Sequence, residues 1–207
     1  MDAQTDKEWY QFKKYAGADR FVSYYHQLAE VVALSPKTVL EVGVGDQVFG
    51  NYLKANTKIA YESLDVANDL NPTHQGSVDA IPLKDASFDV VCAFEVLEHL
   101  PYEKFEPALN ELLRVSRKHV VISIPHFGPP IKFLLKLPFL PEIRFAWKLP
   151  YPMTHRFNGQ HYWELGKKDF PVSRVRADIA KQAHIMKEFV PFENQYHHFF
   201  TLEKAVR

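Results

Sequence analysis

Hydrophobic and polar positions follow two rhythms along this chain, and the rhythms exchange repeatedly. Phe21, Val22, Tyr25, Leu28, Ala29 and Val32 recur at helical spacing behind Asp19, which predicts an N-cap at Asp19, one apolar face, and a stop at Ser35-Pro36. Thr38 to Val42, Lys58 to Leu64 and Phe88 to Phe94 read as strands, the last (FDVVCAF) apolar on both faces as a central parallel strand requires. Glu103 to Ser116 returns to helical spacing with Phe105, Leu109, Leu112 and Leu113 on one side, and His119 to Ile124 is a further strand. This alternation predicts right-handed strand–helix–strand units and a parallel sheet covered by helices. A helix near Val172 to Ala183 follows, then strands near Ile185 to Val190 and Tyr196 to Leu202, joined by a turn at Pro191, Glu193 and Asn194. The sheet is therefore expected to finish in an antiparallel hairpin.

Composition narrows the class. With 207 residues, 46% hydrophobic and 24% charged, the chain suits one globular domain better than two. Twenty-five basic residues balance twenty-five acidic ones, so no global field recruits nucleic acid or an anionic membrane. Cys92, the single cysteine, excludes an internal disulfide and reads as a buried thiol. Met1 to Glu8 is too polar for a signal peptide, and no stretch approaches the ~20 apolar residues of a spanning helix, so a cytoplasmic protein is expected.

The strongest chemical signal is VLEVGVG, Val39 to Gly45. Two glycines after a buried strand allow a sharp bend that a ligand can lie against. A dinucleotide fingerprint would want a third glycine at position 48, where Val48 stands. Glu41, two residues before the bend, instead suggests a ligand carrying positive charge. Asp65 ends the next strand, where two acceptor oxygens match the cis-diol of a ribose. A cationic amino group and a ribose together describe S-adenosylmethionine.

VLEVGVG, LDV at Asp65, IPLKDASFDVVCAFEVLEHL and ELLRVSRKHVVISIP, in this order from about Thr38 to Pro125, resemble the class I S-adenosylmethionine-dependent methyltransferases, in particular the broad group that includes quinone-biosynthesis methyltransferases. The resemblance implies a Rossmann-like, doubly wound, seven-stranded α/β sheet with an antiparallel last strand. It implies that Glu41, Gly43 and Gly45 line the methionine part of the cofactor, Asp65 the ribose, and Ser77 and Val78 the adenine, with S-adenosylhomocysteine as product. Ser77 stands where the family commonly has an Asp, and Gln47 replaces a usual third glycine. The expected organisation is one domain: N-terminal helices over 1–36, a cofactor-binding core over 37–125, a lid and acceptor insert over 126–168, and a C-terminal helix and hairpin over 169–207.

Transfer of a methyl group from a sulfonium needs alignment, exclusion of water and, for a hydroxyl nucleophile, a proton acceptor. Glu95, Glu98 and His99 follow FDVVCAF at a strand's carboxyl end, and His161 lies in the polar and aromatic run HRFNGQHYWE. His99 and His161 are the candidate bases, with Glu95 beside them, a residue also expected among those that bind the cofactor. Glu95, Glu98, His99 and His161 also resemble the metal ligands of small-RNA 3′-terminal 2′-O-methyltransferases, but no metal is assigned. His197 and His198 lie in the last strand, where alternation sends one inward and one outward.

Pro125 to Pro152 holds half of the fourteen prolines and cannot be one regular element. Within it, Lys132, Lys136, Arg144 and Lys148 face a single acid, Glu142, among Phe133, Leu134, Leu135, Phe139, Phe145 and Trp147. A lid packed over the sheet edge is expected; a weak membrane-surface contact through 131–150 is the alternative. The leading functional expectation is methylation of a small-molecule acceptor, at oxygen, with no nucleic acid partner. Alternatives are a quinone or lipid methyltransferase at a membrane surface, an RNA methyltransferase, and a cofactor-binding subunit without catalysis.

Overall fold

The computed structural model describes residues 7–151 and 153–205. The chain forms helices α1 (Phe12–Tyr15) and α2 (Ala18–Ala33), strand β1 (Thr38–Val42), helix α3 (Val48–Asn56), and strands β2 (Ala60–Asp65), β3 (His74–Gln75) and β4 (Phe88–Phe94). Helix α4 (Phe105–Val115) and strand β5 (Ser116–Pro125) follow, then a hairpin of β6 (Pro130–Leu135) and β7 (Ile143–Lys148), helix α5 (Val172–Ala180), and strands β8 (Ala183–Phe189) and β9 (His197–Lys204).

Seven strands form one sheet in the order β3-β2-β1-β4-β5-β9-β8. The first five pair in parallel, whereas β9 runs antiparallel to β5 and β8 antiparallel to β9. Period-two alternation deals β1, β4 and β5 to two cores. Leu40, Val91, Ala93, Val120 and Ile122 meet Leu109 and Leu112 of α4, Val175 and Ile179 of α5, and Trp163. Val39, Val90, Cys92 and Val121 meet Val31 of α2 and Phe49 and Leu53 of α3. Helices thus cover both faces of a Rossmann-like sheet. The buried Cys92 thiol donates to the Leu40 carbonyl at 3.5 Å. No described helix is long and apolar enough to cross a membrane.

Helix α2 departs from its sequence reading. Its N-cap is Gly17, without a side-chain bond, and Asp19 lies inside the first turn, accepting the Arg20 amide. Its buried residues are Ser23, Tyr24, Gln27, Glu30 and Val31, while Phe21, Tyr25 and Val32 are exposed. Polar partners across the interface decide this. Asn194 donates to Ser23, Tyr24 to Asp46, and Lys187 and Thr201 to Glu30. Matched polar groups turn the helix against its apolar periodicity, since leaving them unpaired inside would cost more than exposing three apolar side chains. Both histidines of β9 are buried too. Alternation holds, but each face has its cover: His197 points to Glu95 at 3.6 Å, and His198 to His126 at 3.0 Å and Glu188 at 2.8 Å.

Candidate active site

The carboxyl ends of β1, β2 and β4 open into a cavity of about 420 Å³, within the usual range for small-ligand sites. Gly43 and Gly45 form its bend at φ +83° and +47°, and a Cβ on Gly43 would lie 2.4 Å from a Val96 methyl. Only glycine fits there. Gln47 holds φ 64° in the next turn, the left-handed conformation that a glycine adopts freely, and its side-chain amide donates to the Leu70 carbonyl at 2.7 Å.

Asp65 lines the same cavity, its two oxygens accepting the Val44 and Ala67 amides at 2.8 Å each. Each oxygen keeps a further lone pair, so the carboxylate can still receive a diol. Ser77 and Val78 also line the cavity, just beyond Gly76, whose amide donates to the Asp65 carbonyl at 3.0 Å. The Ser77 hydroxyl donates to Asp79, and that bond, with Lys104 beside it, holds Asp79 below the usual carboxylate range. The carboxylate expected at position 77 therefore stands two residues later, behind a hydroxyl. Glu41 is placed differently from the rest. It points into the α2–α3 layer, accepts the Tyr61 hydroxyl, is pushed up to about 8 by burial, and is not among the cavity-lining residues.

The other end of the cavity carries the titratable groups. Glu95, at the end of β4, holds the left-handed φ of 56°, a strained geometry for its residue type. Burial pushes it up to about 8, and its Oε1 has no hydrogen-bond partner. Glu98 is fully buried with both oxygens unpartnered, and burial, then the charge of Glu95, raises it well above the carboxylate range. His99 Nδ1 lies 3.1 Å from the Gln160 carbonyl, which only accepts, so its proton sits there and Nε2 is an acceptor. Burial, then the neighbouring His161, pushes His99 down to about 4.

The run after the hairpin is fixed locally. Asn158 accepts the Gln160 and His161 amides at 3.0 and 2.8 Å, and Gly159 turns at φ +98°. This sets His161 Nδ1 2.9 Å from Glu164 Oε1, which also accepts the Tyr196 hydroxyl at 3.2 Å. Burial works against the Glu164 charge, but the His161 and Tyr196 bonds and nearby Lys167 hold it below the usual range. An ionised Glu164 accepts the Nδ1 proton, which leaves Nε2 of His161 as a lone-pair acceptor. Both histidines direct Nε2 toward Glu98 Oε1, at 3.9 and 4.0 Å, and their rings meet edge to face at 5.1 Å. Glu98, His99 and His161 each offer one donor atom within 4.8 Å of the others.

A family model described as a methyltransferase domain matches residues 40–124, the stretch that carries the bend, Asp65, Ser77 and Glu95 to His99. Over this stretch the chain carries a methyltransferase domain, and the likeness to the class I S-adenosylmethionine-dependent methyltransferases holds. No curated protein matches the chain by sequence. Among solved structures, a protein of Pyrococcus horikoshii OT3 is 12% identical with a TM-score of 0.59, over 97% of this chain and 100% of its own. Magnesium protoporphyrin IX methyltransferase of Synechocystis PCC 6803, with S-adenosylhomocysteine bound, is 14% identical at 0.59, over 90% and 84%. N-methyltransferase NodS of Bradyrhizobium japonicum WM9, also with that product, is 10% identical at 0.58, over 92% and 89%. The methyltransferase's own residues fit the cofactor: a bend that any Cβ would fill, a carboxylate with spare lone pairs at the second strand end, and a cavity of suitable size. When bound, S-adenosylmethionine supplies the activated methyl carbon.

Two features of the methyltransferase lay outside the sequence reading. Trp9, Tyr10, Lys14, Tyr15 and Arg20 line the cavity, so its cover comes from the N-terminal segment. Arg20 donates to the Tyr15 hydroxyl at 2.9 Å and lies over its ring, and Tyr10 packs edge to face on Tyr15 at 4.8 Å. The aromatic and basic run from Trp9 to Arg20 was the available signal. Of the expected lid and acceptor insert over 126–168, Gln160 and His161 line this cavity, whereas no residue of 131–150 does.

Proposed function

We propose that this methyltransferase moves the methyl group onto a hydroxyl oxygen of a small-molecule acceptor, with His161 as the general base. The observation that carries this reading is the His161–Glu164 pair at 2.9 Å, at the end of the cavity away from Asp65. A hydroxyl must lose its proton as the new bond forms, and Nε2 of His161, the nitrogen not bonded to Glu164, is its lone-pair acceptor. Glu164 fixes the ring and stabilises the imidazolium as it forms. His99, held neutral by burial, and Glu98, held protonated by burial, accept and donate hydrogen bonds around the acceptor without adding charge. Tyr10, Tyr15 and Tyr196 narrow the mouth and exclude water. Small acceptors also agree with solved structures of this fold, among them a magnesium protoporphyrin IX methyltransferase and a 1,6-didemethyltoxoflavin N1-methyltransferase.

The test is turnover on a panel of phenols, sugars and amines, with product assignment by mass spectrometry and NMR. An O-methyl product is expected. The exchange His161→Ala should lower kcat by roughly 10²–10⁴-fold, with calorimetric affinity for S-adenosylhomocysteine retained. An N-methyl product formed at full rate by His161→Ala defeats the proposal. A second reading, an acceptor taken from a lipid surface, is favoured by the orientation of the β6–β7 hairpin.

A further inference from the structure

The β6–β7 hairpin is a ribbon with two unlike faces. Paired residues share a face, and successive residues alternate. The register Ile131–Trp147, Phe133–Phe145 and Leu135–Ile143 therefore puts six large apolar side chains on one face, and all six are exposed. Lys148, Lys132 with Ala146, and Arg144 with Leu134 occupy the other face. That face turns to the body of the protein. Lys132 donates to the Glu193 carbonyl at 2.8 Å, Arg144 pairs with Glu193 and Glu142, and both cations lie over the Phe192 ring at 5.7 and 5.5 Å. The polar face anchors the ribbon, and the apolar face looks outward.

Its tip, Leu137-Pro138-Phe139-Leu140-Pro141, has no polar side-chain atom. Two of its five residues lack an N–H, the Leu140 amide donates to the Leu137 carbonyl at 3.3 Å, and the Leu140 carbonyl receives the Lys136 ammonium at 2.8 Å. Such a tip can leave water with few backbone groups unsatisfied. Phe139 is fully exposed and holds φ 67°, a strained conformation for a bulky residue that aims its ring away from the protein. Four cations against Glu142 stand behind the tip within 131–150.

We propose that this ribbon docks the enzyme on an anionic lipid surface, Phe139 and Leu140 entering the acyl boundary and Lys136, beside the tip, lying at headgroup level. A protein partner would cover the apolar face, but it gives no reason for a tip so poor in polar groups. The inference rests on the second reading above for its biological sense, and on the hairpin alone for its geometry. Docking would hold the enzyme beside acceptors dissolved in the bilayer.

The probe is the full chain with vesicles of phosphatidylcholine, alone or with one quarter phosphatidylglycerol, in co-sedimentation and fluorescence. Trp147 lies on the apolar face and Trp163 is buried, so Trp9→Phe isolates a Trp147 signal that should shift to the blue on binding. The expected result is partition onto the anionic vesicles, weakened roughly tenfold or more by Phe139→Asp with Leu140→Asp, and roughly tenfold by Lys136→Glu. Both tip positions are exposed, so circular dichroism and S-adenosylhomocysteine binding should not change. Absence of partition, or partition untouched by the tip exchanges, overturns the proposal. A dimer that Phe133→Asp dissociates, with no vesicle binding, overturns it in favour of a second copy on the same face. The assay needs no methyl acceptor, so its failure leaves the transfer reading intact, and failed transfer leaves it intact in turn.

Discussion

Strand β4 and the β6–β7 ribbon are both predominantly apolar and have opposite fates. FDVVCAF is apolar and every apolar side chain in it is buried, because parallel neighbours flank it and helices lie on both faces. PIKFLL and IRFAWK are rich in Phe, Leu, Ile and Trp, yet the ribbon pairs only with itself and every residue but Ala146 and Lys148 is exposed. Apolar composition tells that a segment avoids water; what stands across from it decides whether it succeeds inside the molecule. The sheet spends its apolar surface on folding, and the ribbon leaves its own for an encounter.

The widest gap should appear in stability. Leu112→Ala removes a fully buried side chain between α4 and the sheet and should cost about 2–5 kcal/mol in urea unfolding. A loss below that range would mean the helix layer is not packed as described. At the strand ends, Asp65→Ala should weaken S-adenosylmethionine binding by about 1.5–3 kcal/mol in calorimetry while the core persists. Equal affinity for both forms would remove Asp65 from the cofactor's contacts.

The packed layer also titrates. Burial raises Glu41 from its ordinary 4.5 to about 8. The folded chain then keeps a proton that the unfolded chain has released, so this contribution is full below about pH 4.5, falls as pH rises, and is lost above about pH 8. The slope approaches ~1.4 kcal/mol per pH unit for one group. Thermal unfolding at pH 5 and pH 8 should show the decline, and Glu41→Gln should reduce it and raise Tm at pH 8. Glu95 and Glu98, shifted the same way, leave a residual slope. An unaltered decline in the variant would mean that Glu41 is not the buried acid described. The smallest effect belongs to the ribbon: Phe133→Ser should change unfolding free energy by no more than about 0.5 kcal/mol. A core-sized loss there would erase the contrast.

The order of strands and helices, the bend at Gly43 and Gly45 and the carboxylate at Asp65 were legible because each answers a local demand. A positive φ requires glycine, a parallel central strand requires apolar residues on both faces, and a helix requires its spacing. Glu95 and His99 were legible as titratable groups after a strand end and His161 as one in a polar and aromatic run, though not as neighbours: the 5.1 Å between the two rings joins segments about sixty residues apart.

Other features waited for the fold. The residues themselves do not say that α2 would bury Glu30 and expose Tyr25, because that choice belongs to Lys187 and Thr201 on strands that arrive later. Glu41 turned behind the cavity because Tyr61, on the neighbouring strand, offers its hydroxyl there. Trp9, Tyr10, Lys14, Tyr15 and Arg20 line the cavity, where residues 131–150 do not. Local backbone geometry is set by residues adjacent in sequence, so sequence alone determined the sheet, the bend and the family. Burial, pairing and protonation depend on partners brought from far along the chain, and only the tertiary structure could decide them.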